Sequence, residues 1–193
     1  MKTPFFDLKP IYAKLQEELD DAYRRVMRSG WYILGEEVKK FEDEFADYCS
    51  VRHCIGVGNG LDALFLSLRA LEIGPQDEVI VPANTFIATW LAVSHTCAIP
   101  VPVEPDINTY NINPNLIKSA VTSRTKAIII VHLYGQPADM DALLEIADEF
   151  IVNKSDRPGA DSMKRELEAS VQLGASLGQQ KQIAVHSISA LNN

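Results

Sequence analysis

The chain has 193 residues, 47% of them hydrophobic, enough apolar material for one good core, and its length suggests one domain or a little more. Its formal charge of -8 and pI near 5.0 repel phosphate backbones and anionic lipid, and no block of Lys and Arg offers a local exception, so neither nucleic acid nor a membrane surface is an expected partner. The start Met1-Lys2-Thr3-Pro4 lacks an apolar signal core, and the longest greasy run, Ala127 to Val131, is too short to span a bilayer, so a cytoplasmic setting is expected.

From Pro10 to Met27 the apolar residues Ile11, Leu15, Leu19, Ala22, Tyr23 and Val26 recur at helical steps, and Ser29-Gly30 ends the pattern. A link Gly30-Trp31-Tyr32-Ile33-Leu34-Gly35 carries two large aromatics between glycines, and a second helix is predicted from Glu36 to Tyr48 with Val38, Phe41, Phe45 and Tyr48 on one face. Cys49, Cys54 and Cys97 form no C-x-x-C pair and no metal-ligand spacing with His53, so ordinary thiols and no metal are expected.

The period then changes. Cys54 to Val57 reads as a short strand, Gly58-Asn59-Gly60 as a turn, and Leu61, Leu64, Phe65, Leu68 and Leu71 as the stripe of a helix. Glu78 to Val81 is the next predicted strand, Thr85 to His95 a helix, Ile99 to Val103 a strand and Asn115 to Val121 a helix. Ala127 to Val131 reads as a buried strand and Asp139 to Phe150 as a helix with Met140, Leu143, Leu144 and Ala147 inward. Such alternation implies an α/β sheet with helices on both faces. Beyond Phe150 the texture shifts: Ile151-Val152 reads as a strand, Asn153 to Asp161 as a polar loop and Ser162 to Leu173 as a helix, with one apolar stretch at Ile183 to Val185.

Four places carry possible chemistry. The turn at Gly58-Asn59-Gly60 aims the unbonded N–H groups of a helix start at the C-terminal edge of the sheet, which suits an anion; equally, the glycines serve only a tight turn and Asp62 is a helix-start carboxylate. Phe86, in Pro82-Ala83-Asn84-Thr85-Phe86, either stacks on a flat heterocycle at that edge or fills the core. His132 ends a strand where open α/β sheets keep their sites and is either a general base or a hydrogen-bonded structural histidine. Trp31 and Tyr32 form an aromatic lip for a ligand or an interface anchor.

Taken in order, Phe6-Asp7-Leu8, Ser29-Gly30-Trp31-Tyr32-Ile33-Leu34-Gly35, Gly58-Asn59-Gly60-Leu61-Asp62-Ala63-Leu64, Pro82-Ala83-Asn84-Thr85-Phe86-Ile87-Ala88-Thr89 and Val131-His132-Leu133-Tyr134-Gly135-Gln136-Pro137 resemble the DegT/StrS family of sugar aminotransferases. The resemblance implies the front part of an aspartate-aminotransferase-like large domain, preceded by N-terminal helices and followed by a divergent tail. It also implies a homodimer, pyridoxal 5'-phosphate as cofactor, and transfer of an amino group from glutamate to a nucleotide-linked keto-deoxysugar. Carried over by position, Gly60 and the backbone N–H groups of Leu61 and Asp62 hold the cofactor phosphate, and Phe86 stacks on the pyridine ring. Trp31, Tyr32 and His132 become the candidates on the substrate side.

The resemblance implies a further segment after residue 150: an acidic residue for the pyridine nitrogen, then a serine and the lysine that bonds the cofactor. This chain instead reads Ile151-Val152-Asn153-Lys154-Ser155-Asp156-Arg157-Pro158-Gly159-Ala160-Asp161, and neither Lys154, Lys164 nor Lys181 has the family's flanking residues. Residues 1–150 are therefore expected to form part of the aminotransferase domain and 151–193 an unrelated or frameshifted tail, with a truncated chain that does not turn over alone. The tail resembles the guanine-recognition segment of MeaB/ArgK-like metallochaperone GTPases, with Asp156 at the guanine-binding position, although no P-loop accompanies it. A non-enzymatic association module is the alternative to an aminotransferase, and a GTP-binding fragment a third reading.

Overall fold

A computed structural model describes residues 7–49, 51–144, 146, 149–153 and 184–188. Phe6, Lys154, Asp156, Lys164, Lys181 and the helix expected over 162–173 lie outside them. The chain divides into two compact units, Met1–Gly56 and Val57–Asn193.

The first unit is a helix pair. Helix α1 (Lys9–Ser29) has Pro10 in its first turn, where a missing N–H costs nothing, and stops at Gly30, whose φ of 68° is left-handed and suits glycine. Helix α2 (Glu36–Tyr48) opens with Glu36 and Glu37 at its positive end. Glu37 also ties the two helices, accepting Nε of Arg25 at 2.7 Å and Nη2 at 3.2 Å. Each ion shifts the other: the hydrogen bond holds the Glu37 carboxyl below, and the Arg25 guanidinium above, its ordinary pKa. Phe41, Phe45 and Tyr48 form a row along α2 with ring centroids 5.5 and 6.1 Å apart.

The strand expected at Cys54 to Val57 is absent. A strand needs a ladder partner, and the Gly56 N–H is instead taken by Glu42 Oε1 at 2.7 Å, while the Ile55 side chain is exposed. Partial burial, helped by Glu42, raises the Cys54 thiol pKa, so the thiol stays protonated.

In the second unit, helix α3 (Gly60–Ala70) leads to strand β1 (Glu78–Pro82), helix α4 (Ala88–His95), strand β2 (Ile99–Val103), helix α5 (Pro114–Ala120) and strand β3 (Thr125–Ile128). The three strands form a parallel sheet in the order β2-β1-β3. Central β1 is buried along its whole length, as a parallel strand covered on both faces must be. Its alternation divides the core. Val79 and Val81 join Leu64 and Leu68 of α3 and Ala92 and Val93 of α4, whereas Ile80 joins Val103, Ile112, Ile117 and Leu143 on the other face. Each of the buried Val, Leu and Ile side chains among these contributes about 1.5–3 kcal/mol of burial.

The helix expected from Asp139 to Phe150 is shorter. Helix α6 covers Met140–Leu144, and Phe150 belongs to strand β4 (Glu149–Asn153), which pairs in parallel with β5 (Ala184–Ile188) in a separate two-stranded sheet. The periodic Met140, Leu143 and Ala147 pointed to a helix, but Phe150-Ile151-Val152 is an aromatic and β-branched run that favours extended backbone. The strand expected at Ile151-Val152 falls within β4, which crosses residue 150, whereas β5 lies where only an apolar stretch was noted.

Candidate active-site edge

Connectivity decides which end of the sheet carries a site. Helix α3 returns to the start of β1 and so runs antiparallel to it, which places the α3 N-terminus at the C-terminal ends of the strands. Phe86 and His132 each lie four residues beyond the ends of β1 and β3, which are neighbours in the sheet. Gly60, Phe86 and His132 therefore share one edge.

The α3 start is capped from within. Asn59 Oδ1 accepts the Asp62 N–H at 3.0 Å, its Nδ2 donates to Asp62 Oδ2 at 3.0 Å, and its carbonyl accepts the Ala63 N–H at 3.1 Å. The N–H groups of Gly60 and Leu61 remain as helix-start donors with no protein acceptor among the described residues. Asp62 thus differs from the expectation that its N–H holds a phosphate, since that N–H is already used, and its carboxylate lies beside the helix start. A Cβ built at Gly58 would stand 3.0 Å from that carboxylate, so a larger residue there would require the Asp62 side chain to give way by a few tenths of an ångström.

Phe86 is not a core residue. Its side chain is 77% exposed, on the non-helical turn that precedes α4. Two bonds brace that turn: Thr85 and Thr89 share a hydroxyl hydrogen bond of 3.0 Å, and Trp90 Nε1 donates to the Pro82 carbonyl at 3.2 Å. A large apolar ring held in water on a braced turn can stack on a flat partner.

His132 is half-buried, and burial lowers its pKa. Its Nδ1 accepts the Ala138 N–H at 2.9 Å, which engages the lone pair of that nitrogen and favours a structural role for it. The adjacent segment Leu133–Gly135 is a 3-10 turn, with Tyr134 left-handed at φ 55° and 88% exposed.

Trp31 and Tyr32 lie in the first unit, in the link between α1 and α2. Trp31 donates Nε1 to the Ile33 carbonyl at 2.6 Å, and its N–H bonds Ser29 Oγ at 3.0 Å, so its polar atoms are used within the link and only its ring is available. A cleft of about 540 Å³ opens there, lined by both aromatics with Val26, Leu34 and Val38 and by Arg25, Lys39 and Lys40.

Sequence reasoning missed two residues that matter to the edge. Asn59 followed three positions later by Asp62 is a capping-box pattern with Asp in place of Glu, a readable signal. Asn111 bonds residues 133–137 across more than twenty positions of sequence, which no local pattern reveals.

Comparison with known proteins finds relatives over most of the chain. The profile described as the DegT/DnrJ/EryC1/StrS aminotransferase family matches residues 13–153. A dTDP-3-amino-3,6-dideoxy-alpha-D-galactopyranose transaminase of Aneurinibacillus thermoaerophilus is 58% identical over 147 residues, which are 76% of this chain and 40% of that protein. Among solved structures, DesV of S. venezuelae in complex with a ketimine intermediate superposes with a TM-score of 0.71 at 56% identity, over 76% of this chain and 40% of that one. NtdA of Bacillus subtilis with bound cofactor PMP gives a TM-score of 0.70 at 34% identity, over 76% of this chain and 34% of that one. The chain thus spans about 40% of the length of the curated relative it matches. The match to the family profile stops at Asn153, and the tail's likeness to metallochaperone GTPases finds no support in these comparisons.

Proposed function

Since the chain belongs to the DegT/DnrJ/EryC1/StrS aminotransferase family, we propose that it supplies the phosphate- and ring-binding surface of a pyridoxal-phosphate-dependent sugar-nucleotide aminotransferase. The observation that carries this is the pairing, at one sheet edge, of the Gly60 and Leu61 N–H donors with the exposed Phe86 ring. A dianionic phosphate at a helix start and a heterocycle on an aromatic face are what those groups suit. Pyridoxal phosphate, when bound, supplies an electron sink for the carbon that gains or loses the amino group.

The chain's own residues bind and orient. Gly60 and Leu61 hold the phosphate, Phe86 fixes the plane of the ring, and the Asp62 carboxylate beside the helix start weakens phosphate binding by like charge. The lysines described in the second unit, Lys118 in the last turn of α5 and Lys126 near the start of β3, both lie toward the N-terminal ends of the strands, away from this edge. We therefore assign the described part of this edge binding without turnover. The donor glutamate and the nucleotide-linked keto-deoxysugar acceptor belong to the activity of the whole aminotransferase, which the relative's transaminase name supports. Trp31 and Tyr32, lining the cleft beside Lys39 and Lys40, are proposed to meet that sugar nucleotide.

Purified chain titrated with pyridoxal 5'-phosphate is expected to bind it in competition with inorganic phosphate, to yield no borohydride-reducible adduct, and to transfer no amino group from glutamate. A reducible adduct on one lysine together with amine transfer would overturn the assignment.

Self-association is a second proposal. Leu8, Ile11, Leu15, Leu19 and Tyr23 form an exposed apolar stripe on α1 and the residue before it, which favours a homodimer. Light scattering that finds a monomer at high concentration would reject it. A cytoplasmic location is proposed from the composition; no helix among the described residues is long and apolar enough to cross a membrane.

A further inference from the structure

The turn after β3 is held by an unusually complete set of bonds. Asn111 is 2% exposed, and its three side-chain hydrogen bonds are directed at one loop: Nδ2 donates to the Gln136 carbonyl at 3.1 Å and the Pro137 carbonyl at 3.0 Å, and Oδ1 accepts the Leu133 N–H at 2.9 Å. Leu133 follows His132 and Pro137 precedes Ala138, so these bonds bracket the two partners of the fourth, in which the Ala138 N–H donates to His132 Nδ1 at 2.9 Å. A backbone N–H can only donate, so Nδ1 must present its lone pair, and the neutral ring carries its proton on Nε2.

The geometry points to Asn111 as a positioning residue that locks His132 in the Nε2–H tautomer, making His132 a hydrogen-bond donor to an oxygen atom of the ligand at the sheet edge. The donor role rests on the proposed binding surface, whereas the tautomer does not. An Nε2–H accepts no proton from a substrate carbon, so this assignment replaces the general-base reading of His132. It also selects the ligand chemistry: a phosphate, carboxylate, hydroxyl or keto oxygen, not an ammonium. Burial of the ring supports it, because the cationic form would be costly there. The same bonds hold Tyr134 in its left-handed conformation, which a residue with a Cβ does not adopt without cost.

Long-range proton–nitrogen correlation on the isotope-labelled full chain, without ligand and above the histidine pKa, reads the tautomer. His132 is expected to show one protonated Nε2 and one unprotonated Nδ1. A protonated Nδ1, or averaging between tautomers, overturns the assignment. Asn111→Ala is expected to convert the pattern to averaging; should it not fold, Asn111→Asp, which keeps the acceptor for Leu133 and loses both donated bonds, serves instead. An unaltered single tautomer in either folded variant removes Asn111 from the account.

The donor itself is tested with pyridoxal 5'-phosphate as probe. His132→Gln keeps an N–H near the Nε2 position and should bind more tightly than His132→Asn. His132→Asn keeps an acceptor near Nδ1, loses the donor, and should bind about threefold to tenfold more weakly, the worth of one hydrogen bond. The reverse order refutes the donor. If the native chain does not bind the probe, the binding surface and the donor role fall together, while the tautomer is still judged by its spectrum.

Discussion

The two ends of the three-stranded sheet treat their polar groups in opposite ways. At the N-terminal end the Glu78 carboxylate, with a side chain 6% exposed, receives both the Arg124 guanidinium and the Thr122 hydroxyl, and the Glu78 N–H bonds the Arg124 carbonyl at 2.8 Å. That end is closed on itself. At the C-terminal end the Gly60 and Leu61 N–H groups have no protein acceptor among the described residues, and a phenylalanine ring faces water. The difference teaches where stability and binding reside: a polar group fully used by the protein holds the fold, and one left open is available to a ligand.

The largest expected effect lies at the closed end. Arg124→Ala leaves a buried carboxylate with only a hydroxyl partner, and because Arg124 is itself half in water the loss is expected at about 2–3 kcal/mol, below the full cost of breaking a buried pair. Urea denaturation measures it, and affinity for pyridoxal 5'-phosphate should not change; a weakened affinity would blur the division between the ends. Phe86→Ala is the converse: stability within about 0.5 kcal/mol, since the ring is exposed, and about tenfold weaker cofactor binding by titration. A large loss of stability there would mean that the ring packs in solution.

Smaller effects sharpen the picture. Asn59→Ala should cost about 1 kcal/mol through loss of the α3 cap, and Asn59→Ser should recover most of it. The smallest effect is the pH dependence from His132. Its folded pKa is below the unfolded value of about 6.5, so on acidification the unfolded chain takes up the proton first. Stability should decline as pH falls through about 6.5 and level off once the folded ring is also protonated. His132→Asn should flatten that slope in unfolding curves recorded at a series of pH values; an unchanged slope would assign it to another group.

Much of this was legible in the letters. The periodicity of Ile11 to Val26 and of Leu61 to Leu71 located α1 and α3, and the glycine turn before Leu61 marked the edge that carries the donors. Other features depend on partners distant in sequence. Cys54 to Val57 has strand composition but no ladder, and Phe150 followed a helical period into a strand whose partner begins at Ala184. Asn111 carries no local signal in the sequence, yet its three bonds reach 22 to 26 residues away. Phe86 shows the other kind of gap: local pattern favours a buried ring, and the structure leaves it exposed on a turn braced at Thr85 and Trp90.

The most direct test of the open-edge account is to follow backbone amide and aromatic resonances of the labelled chain while adding pyridoxal 5'-phosphate. The amides of Gly60 and Leu61 and the ring of Phe86 should move together with one affinity, while Glu78, Thr122 and Arg124 stay still. Movement centred on the Glu78 end, or none at Gly60 and Leu61 at saturation, would contradict it.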